Sequence, residues 1–203
     1  MKPEMITLKV GEATIKLPAS TVAGLALASV VAQIAPQPVQ PAVNAPSSTP
    51  ALGEIWTGQG GYNGGFVPAR GDVPAHYLIF AAKDVGSHEW GGRGIEIKGL
   101  NKTDGLANTE ILIGNEDEAK YPAANACAEY QADGHHDFYL PATAELYQGW
   151  INCPEVFAKG AYYWSSSQRS TNNAFNMTFV DGYQYYTDKD NELRVRPVRR
   201  LFI

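Results

Sequence analysis

Between Met5 and Leu17, apolar and polar residues alternate on both sides of Gly11 and Glu12. Ile6, Leu8 and Val10, then Ala13, Ile15 and Leu17, would line one face of each strand of a small hairpin. The pattern then changes. Thr21 to Ala35, TVAGLALASVVAQIA, is an Ala-rich helix candidate with Ser20 or Thr21 as its N-cap. This helix is apolar nearly all round, which calls for partners on several sides, and a unit of ~35 residues buries too little apolar surface to stand alone. Residues 1–35 are therefore expected to be an attachment and oligomerisation segment that docks on another chain or on copies of itself.

From Pro36 to Leu52 the sequence PQPVQPAVNAPSSTPAL holds five prolines and no charged or aromatic residue. Proline removes backbone donors and fixes φ, so residues 36–52 predict a semi-rigid linker of at most roughly 50 Å, at ~3.1 Å per residue. Residues 53–203 follow as one globular block. AHYLIFAAK (75–83) is the short apolar run of a buried strand. PAANACAEYQA (122–132) has Pro in a first-turn position and Gly134 just beyond its end, and reads as a helix. TAELYQGWIN (143–152) reads as a second helix, with Leu146/Trp150 and Tyr147/Ile151 at i,i+4 and a stop at Pro154. Short strands with turns come after: AYYWSSS, NAFNMTFV, GYQYYT and LRVRPVRRL. Two helices followed by several short strands predict an α+β class.

One stretch has an unusual alphabet. Between Tyr162 and Asn191, Tyr, Ser, Asn, Thr and Asp supply 19 of 30 residues, while Leu, Ile and Glu are absent. Disorder would fit the polarity but not Trp164, Phe175, Phe179 and five tyrosines. By period two, Phe175, Met177 and Phe179 would anchor one face to a core, and Asn176, Thr178 and Val180 would share the opposite, exposed face. Exposed Tyr, Ser and Asn make the composition of an antibody-like paratope, in which Tyr offers large contact area with few torsions to freeze. A merely solvated strand face is the bland reading of the same residues.

Charge and cysteine content narrow the classes. A net charge of −5 and a pI near 5.4 argue against nucleic-acid binding, which calls for a basic face. No run reaches the ~20 apolar residues of a membrane span. Thr21–Ala35 sits behind Glu4, Glu12 and two prolines and makes a poor signal peptide, so synthesis and folding in a cytoplasm are expected. Cys127 and Cys153 form no CxxC; two half-buried thiols are expected rather than a bridge or a zinc site.

The chemical motifs are weak. His135 and His136, near Asp133, Asp137, His88 and Glu89, lack HExxH or HxH spacing, and a loop histidine pair is the simpler reading. GQGGYNGG lacks the GK[ST] ending of a phosphate loop and reads as a turn-rich strand connection. Ser165–Ser167 have no G-x-S-x-G elbow, and hydroxyls bonding the backbone are expected there. The spaced acids of DGYQYYTDKDNE lack an EF-hand's glycine placement. No catalytic residue, metal or cofactor is expected.

DFYLPATAELYQGW (137–150), YYWSSSQ (162–168), NAFNMTFVDGYQ (173–184) and RVRPVRR (194–200) together resemble the C-type-lectin-like domains of bacterial surface proteins and phages. The nearest likeness is to the variable proteins of diversity-generating retroelements, typified by the phage tropism determinant on tail fibres. KTDGLANTEILI (102–113) and GEIWTGQGGYNGG (53–65) are similar to the Mu-like phage branch of that group. The resemblance implies a C-type-lectin-like fold over 53–203, with a variable region of about 162–200 rewritten by reverse transcription with errors at template adenines. Asn codons then yield Asn, Tyr, Ser, Thr and Asp. It implies ligand-facing sites at Arg169, Thr171, Asn172, Asn173, Asn176, Thr178, Val180, Asp181, Tyr183, Tyr185, Tyr186, Thr187 and Asp188. Trp164, Ser165, Ser166, Phe175, Phe179 and Gly182 would be scaffold, Arg196 and Arg199 would lie on the closing strand outside the rewritten sites, and Gln184, Lys189 and Asp190 fit either set.

The functional expectation is a virion protein of a phage tail fibre or tail tip, made in the host cytoplasm, that binds a bacterial surface receptor: protein, pilus or polysaccharide. By the same resemblance it would be a homotrimer, attached to other tail proteins through residues 1–35, with no nucleic-acid partner and no membrane insertion. A bacterial surface or secreted binding module of the same fold is the alternative. A formylglycine-generating-type oxidase is a third reading, and it requires Cys127 and Cys153 to meet in a pocket.

Overall fold

The alternation on either side of residues 11 and 12 becomes a hairpin. Strand β1 (Met5–Val10) pairs antiparallel with β2 (Ala13–Pro18), with Ile6 opposite Leu17 and Leu8 opposite Ile15. The computed structural model describes residues 4–10, 13–21, 49–114 and 121–203, in two units, Met1–Ser47 and Ser48–Ile203. Residues 19–21 begin a helical turn; the rest of the helix expected over 21–35, and the linker expected over 36–52 as far as residue 48, lie outside the described residues.

The second unit is mixed α+β. A four-stranded antiparallel sheet runs in the order β11 (Val198–Phe202), β5 (His76–Ala81), β4 (Gly61–Val67), β3 (Ile55–Trp56). A five-stranded sheet runs β6 (Ser87–Glu89), β10 (Glu192–Arg194), β7 (Tyr162–Gln168), β8 (Asn173–Thr178), β9 (Gln184–Asp188). Its neighbours pair antiparallel, except β10 and β7, which meet in parallel at Arg194 and Tyr163. The Gly-rich segment 61–67 is therefore a strand itself, bulged between Asn63 and Gly65, rather than a connection.

Among the described residues of this unit, three α-helices pack with the sheets: α1 (Gly105–Ile113), α2 (Pro122–Ala128) and α3 (Thr143–Asn152). The last two sit where the sequence places them, but α2 ends at Ala128, because residues 132–135 close a tight turn in which Ala132 and His135 pair. Gly134, at φ +81°, belongs to that turn and not to a helix cap. Helix α1 is additional to the expected two. Its apolar residues show no clear stripe; what starts it is Asp104, whose Oδ1 accepts the N–H of Ala107 at 3.0 Å.

The core is two clusters, one on either side of the β7–β8 pair. Tyr163 and Met177 enter the first with Leu78, Phe80, Phe157 and Phe179. Trp164 and Ala174 enter the second with Trp90, Tyr121, Leu112 and Val195. Successive residues of one strand thus bury toward opposite sides, and both side-chain parities are lost to solvent in mid-strand. Cys153 lies in the first cluster and Cys127 in the second; both are free and wholly buried, not half-buried. Burial pushes both thiols up, Cys153 to about 12, which disfavours the thiolate.

A single carboxylate ties the start of α1 and the entry to α3 to the last strand. Buried Glu145 on α3 accepts from Gly105 N (3.1 Å), Ala142 N (2.8 Å), the Tyr139 hydroxyl (2.9 Å) and Arg200 Nη2 (3.2 Å). Arg200 also donates to Asp104 at 2.7 Å, so β11 is joined to the start of α1. Gly105 is required by this closeness: a Cβ there would stand 2.6 Å from Ala142 N and from Leu140 O. An amide in its place keeps one oxygen and turns the other into a donor, so either the two N–H groups or the Tyr139 hydroxyl and the guanidinium lose their acceptor. Glu145→Gln is expected to cost about 3–5 kcal/mol of unfolding free energy by denaturant titration, and a loss below about 1 kcal/mol would show that the carboxylate is not a hub.

Candidate functional site

The expected site residues gather on the ribbon β8–β9 and its two turns, at the edge of the five-stranded sheet. Arg169, Asn172, Val180, Asp181, Tyr183, Tyr185 and Tyr186 are exposed; Thr171, Asn173, Thr187 and Asp188 are half-buried. Asn176 and Thr178 are not exposed as expected: 0% and 7% of their surface is accessible. The two-sided burial of β8 is the reason. Asn176 lies opposite Trp164 on one side and Tyr185 on the other, and its Nδ2 donates to Thr187 Oγ1 at 2.7 Å. It belongs to the frame. Phe175, expected as scaffold, is instead half-exposed beneath Lys102, whose ammonium stands 4.7 Å from the ring centre.

The exposed aromatics fall on opposite faces of the ribbon. On one face Tyr183 and Tyr185 lie 4.5 Å apart between ring centres, and Tyr185 meets Tyr162 edge-on at 5.4 Å. Tyr162 was not among the expected ligand-facing residues, although it opens the tyrosine-rich stretch and is 43% exposed. On the other face Tyr186, 60% exposed, pairs across the strands with Phe175 and carries the Arg169 guanidinium at 5.6 Å. The packing of these rings on one another restricts their rotamers before any partner arrives.

Beneath the ribbon the supporting serines are buried and hydrogen-bonded. Ser165 Oγ donates to Phe175 O (2.8 Å), Ser167 Oγ donates to Asn101 O (2.9 Å), and Ser166 Oγ accepts from Asn108 Nδ2 (3.0 Å). The serine run is thus a set of strand hydroxyls, two of them bonded to backbone. The β8–β9 turn is pinned by Gly182, at φ +72°, where a Cβ would come within 2.5 Å of the Trp150 ring. At the other end Asn173 Nδ2 donates to Asp188 Oδ1 at 2.7 Å, and Lys189 N donates to Asn172 O at 2.9 Å.

Lys189 itself is wholly buried, which places it in the frame. Its ammonium donates to Gln168 Oε1 (2.7 Å), Ile95 O (2.9 Å) and Gly92 O (3.4 Å), and stands 4.5 Å over the Trp90 ring. Gln184 and Asp190, by contrast, are exposed. The Arg cluster that follows also points inward. Arg196 pairs with Asp84 at 2.6 Å, Arg199 with Asp137 at 2.7 Å, and Arg200 with Asp104 and Glu145. His135 and His88 each bond a backbone carbonyl, and among the described residues no three of His, Cys, Asp and Glu stand together as a metal site.

Burial pulls the Lys189 ammonium down to about 8 from its ordinary value of 10.5. Between those values the unfolded chain binds more protons than the fold, so this residue makes stability rise with pH across that window and not below it. The rise totals about 3 kcal/mol. Titrated side by side from pH 7.5 to 10.5, the wild type is expected to gain about that much stability relative to Lys189→Met, and a pH-independent difference would show that burial does not depress the lysine. No protein-family model matches the chain, and no curated protein matches its sequence.

Proposed function

We propose that the chain is a phage receptor-binding protein of the tail fibre or tail tip, with a C-type-lectin-like fold, that presents retroelement-diversified side chains to a bacterial surface receptor. One observation carries the reading: exposed tyrosines ride on a ribbon whose supports are all other residues. Among the described residues, Tyr183 and Tyr185 make ring contacts with each other, Tyr185 also with Tyr162, and Tyr186 with Arg169. The groups that hold the ribbon, among them Asn176, Gly182 and Lys189, are not part of the displayed set. Exchange of exposed side chains away from such supports ordinarily changes stability by less than about 0.5 kcal/mol. A surface of this kind can change its ligand without changing its fold.

The lectin-like assignment is supported by topology as well as by motif. Strands from the two ends of the second unit, β3 and β11, share one sheet, and the β8–β9 ribbon that carries most of the expected sites forms the edge of a separate sheet. On this reading the displayed positions are the expected ones without Asn176 and Thr178, which are buried, and without Asn173, Thr187 and Asp188, whose side chains bond within the ribbon, joined by Tyr162. Tyr contacts would supply most of the affinity, and Arg169, Asn172 and Asp181 would orient the partner through hydrogen bonds. Attachment to other tail proteins through residues 1–35, and trimerisation, would multiply weak individual contacts.

Two measurements test this. The gene's neighbourhood is expected to hold a reverse transcriptase gene and a template repeat that matches codons for about 162–200 except at adenines; an isolated gene contradicts diversification. Replacing Tyr183, Tyr185 and Tyr186 together by Ser is expected to leave Tm within about 2 °C. The same variant should abolish adsorption of the purified protein to the bacterial strains that the wild type binds. Retained adsorption would place the receptor contact elsewhere.

A further inference from the structure

A cavity of about 450 Å3 opens between β5, β11, the start of α3 and the loop before α1, apart from the tyrosine ribbon's own residues. Its size suits a small ligand. Two of its lining side chains are more than nine-tenths buried yet incompletely bonded. His76 is 2% exposed; its Nδ1 lies 2.7 Å from Pro74 O, a group that only accepts, so Nδ1 carries the proton. Burial also lowers the imidazole's pKa, which keeps the ring neutral. Nε2 is then an acceptor with no partner among the described residues. Arg200, 6% exposed, spends Nη2 on Asp104 and Glu145, while Nε is buried without an acceptor and Nη1 has none among the described residues.

The polar groups left over are of both kinds. Arg200 Nη1 donates; His76 Nε2 accepts, and so does Gln148 Oε1, whose amide nitrogen is held by Phe66 O at 3.1 Å. An anion gains little from Arg200, because Asp104 and Glu145 already neutralise it and would face the newcomer, and Arg70, also in the lining, is solvent-exposed, where a charge pair is worth little. A cation meets the guanidinium. A hydroxyl, which donates and accepts at once, fits each free group, and Val67, Val73 and Ala144 offer apolar wall for the C–H face of a ring. We infer that this cavity binds a small neutral polyhydroxyl compound of monosaccharide size, with hydroxyls donating to His76 Nε2 and Gln148 Oε1 and accepting from Arg200. The inference is independent of the receptor-binding reading, since none of the cavity's residues belongs to the displayed set.

The probes are glucose, galactose, mannose and N-acetylglucosamine, with glucuronate as the charged arm, titrated into the 15N-labelled full chain while backbone and His76 ring shifts are followed. At least one neutral sugar is expected to shift His76 and β11 amides saturably, with a Kd in the millimolar range or tighter. His76→Phe keeps the ring's bulk beside Phe202 and is expected to weaken that binding at least tenfold. Gln148→Leu, a half-exposed change that spares the Glu145 contacts, should weaken it too, whereas Tyr183→Ser should not. The inference is overturned if no neutral sugar shifts these signals at 100 mM, if both cavity variants bind as well as the wild type, or if glucuronate binds and the neutral sugars do not.

Discussion

The second unit depends on one buried carboxylate being surrounded by donors. A charge taken out of water is expensive unless every lone pair finds a partner, and Glu145 finds four. Its partners come from the start of α1, the entry to α3, the segment before it and the last strand. No hydrophobic contact could fix four elements with such directional precision, because dispersion does not specify angle. Asp104 extends the arrangement by capping α1 while it accepts from Arg200. The Arg-rich end of the sequence is explained by this role: Arg196, Arg199 and Arg200 are internal staples from the closing residues to carboxylates elsewhere in the chain.

On the proposed reading, that rigidity is what would let the ribbon at the edge of the other sheet be permissive. Its backbone is held by β8–β9 pairing, by the Gly182–Trp150 contact at one end and by Lys189 at the other. The tyrosines contribute little to these restraints. Display and support are therefore carried by different residues, neighbours across the strands or along the chain: Asn176 is frame and Tyr185 opposite it is display, Gly182 is frame and Tyr183 beside it is display.

Much of this was legible in the order of residues. The α3 helix was marked by its i,i+4 pairs and Pro154, and β5, β7, β8 and β9 by short apolar or aromatic runs between turns; β6 was not marked, and LRVRPVRRL, expected as one strand, divides around Pro197 into β10 and β11 in different sheets. Helix α1 was hidden because its apolar residues form no stripe, and because Gly105 in its first turn looks like a breaker when its packing reason is not visible. The site was legible as a segment and as a set of exposed tyrosines, but not as two faces. Period two assigns Asn176 and Thr178 to solvent only if one side of β8 is bare, and covering by a second core cluster is a tertiary fact with no local signal. The same cover makes Lys189 internal, where charge alone suggests a surface residue. The cavity lined by His76 and Arg200 has no motif, since its parts are 124 positions apart in the chain.

The central claim is that frame and display are separable, and a randomised library measures it most directly. Codons for Thr171, Asn172, Asp181, Tyr183, Tyr185 and Tyr186 would be varied among Asn, Ser, Thr, Tyr and Asp, and each variant scored for protease resistance. A matched library would vary Asn176, Thr178 and Lys189 in the same way. The account predicts that most members of the first library resist protease as the wild type does, and that most of the second do not; equal losses in the two libraries would contradict it.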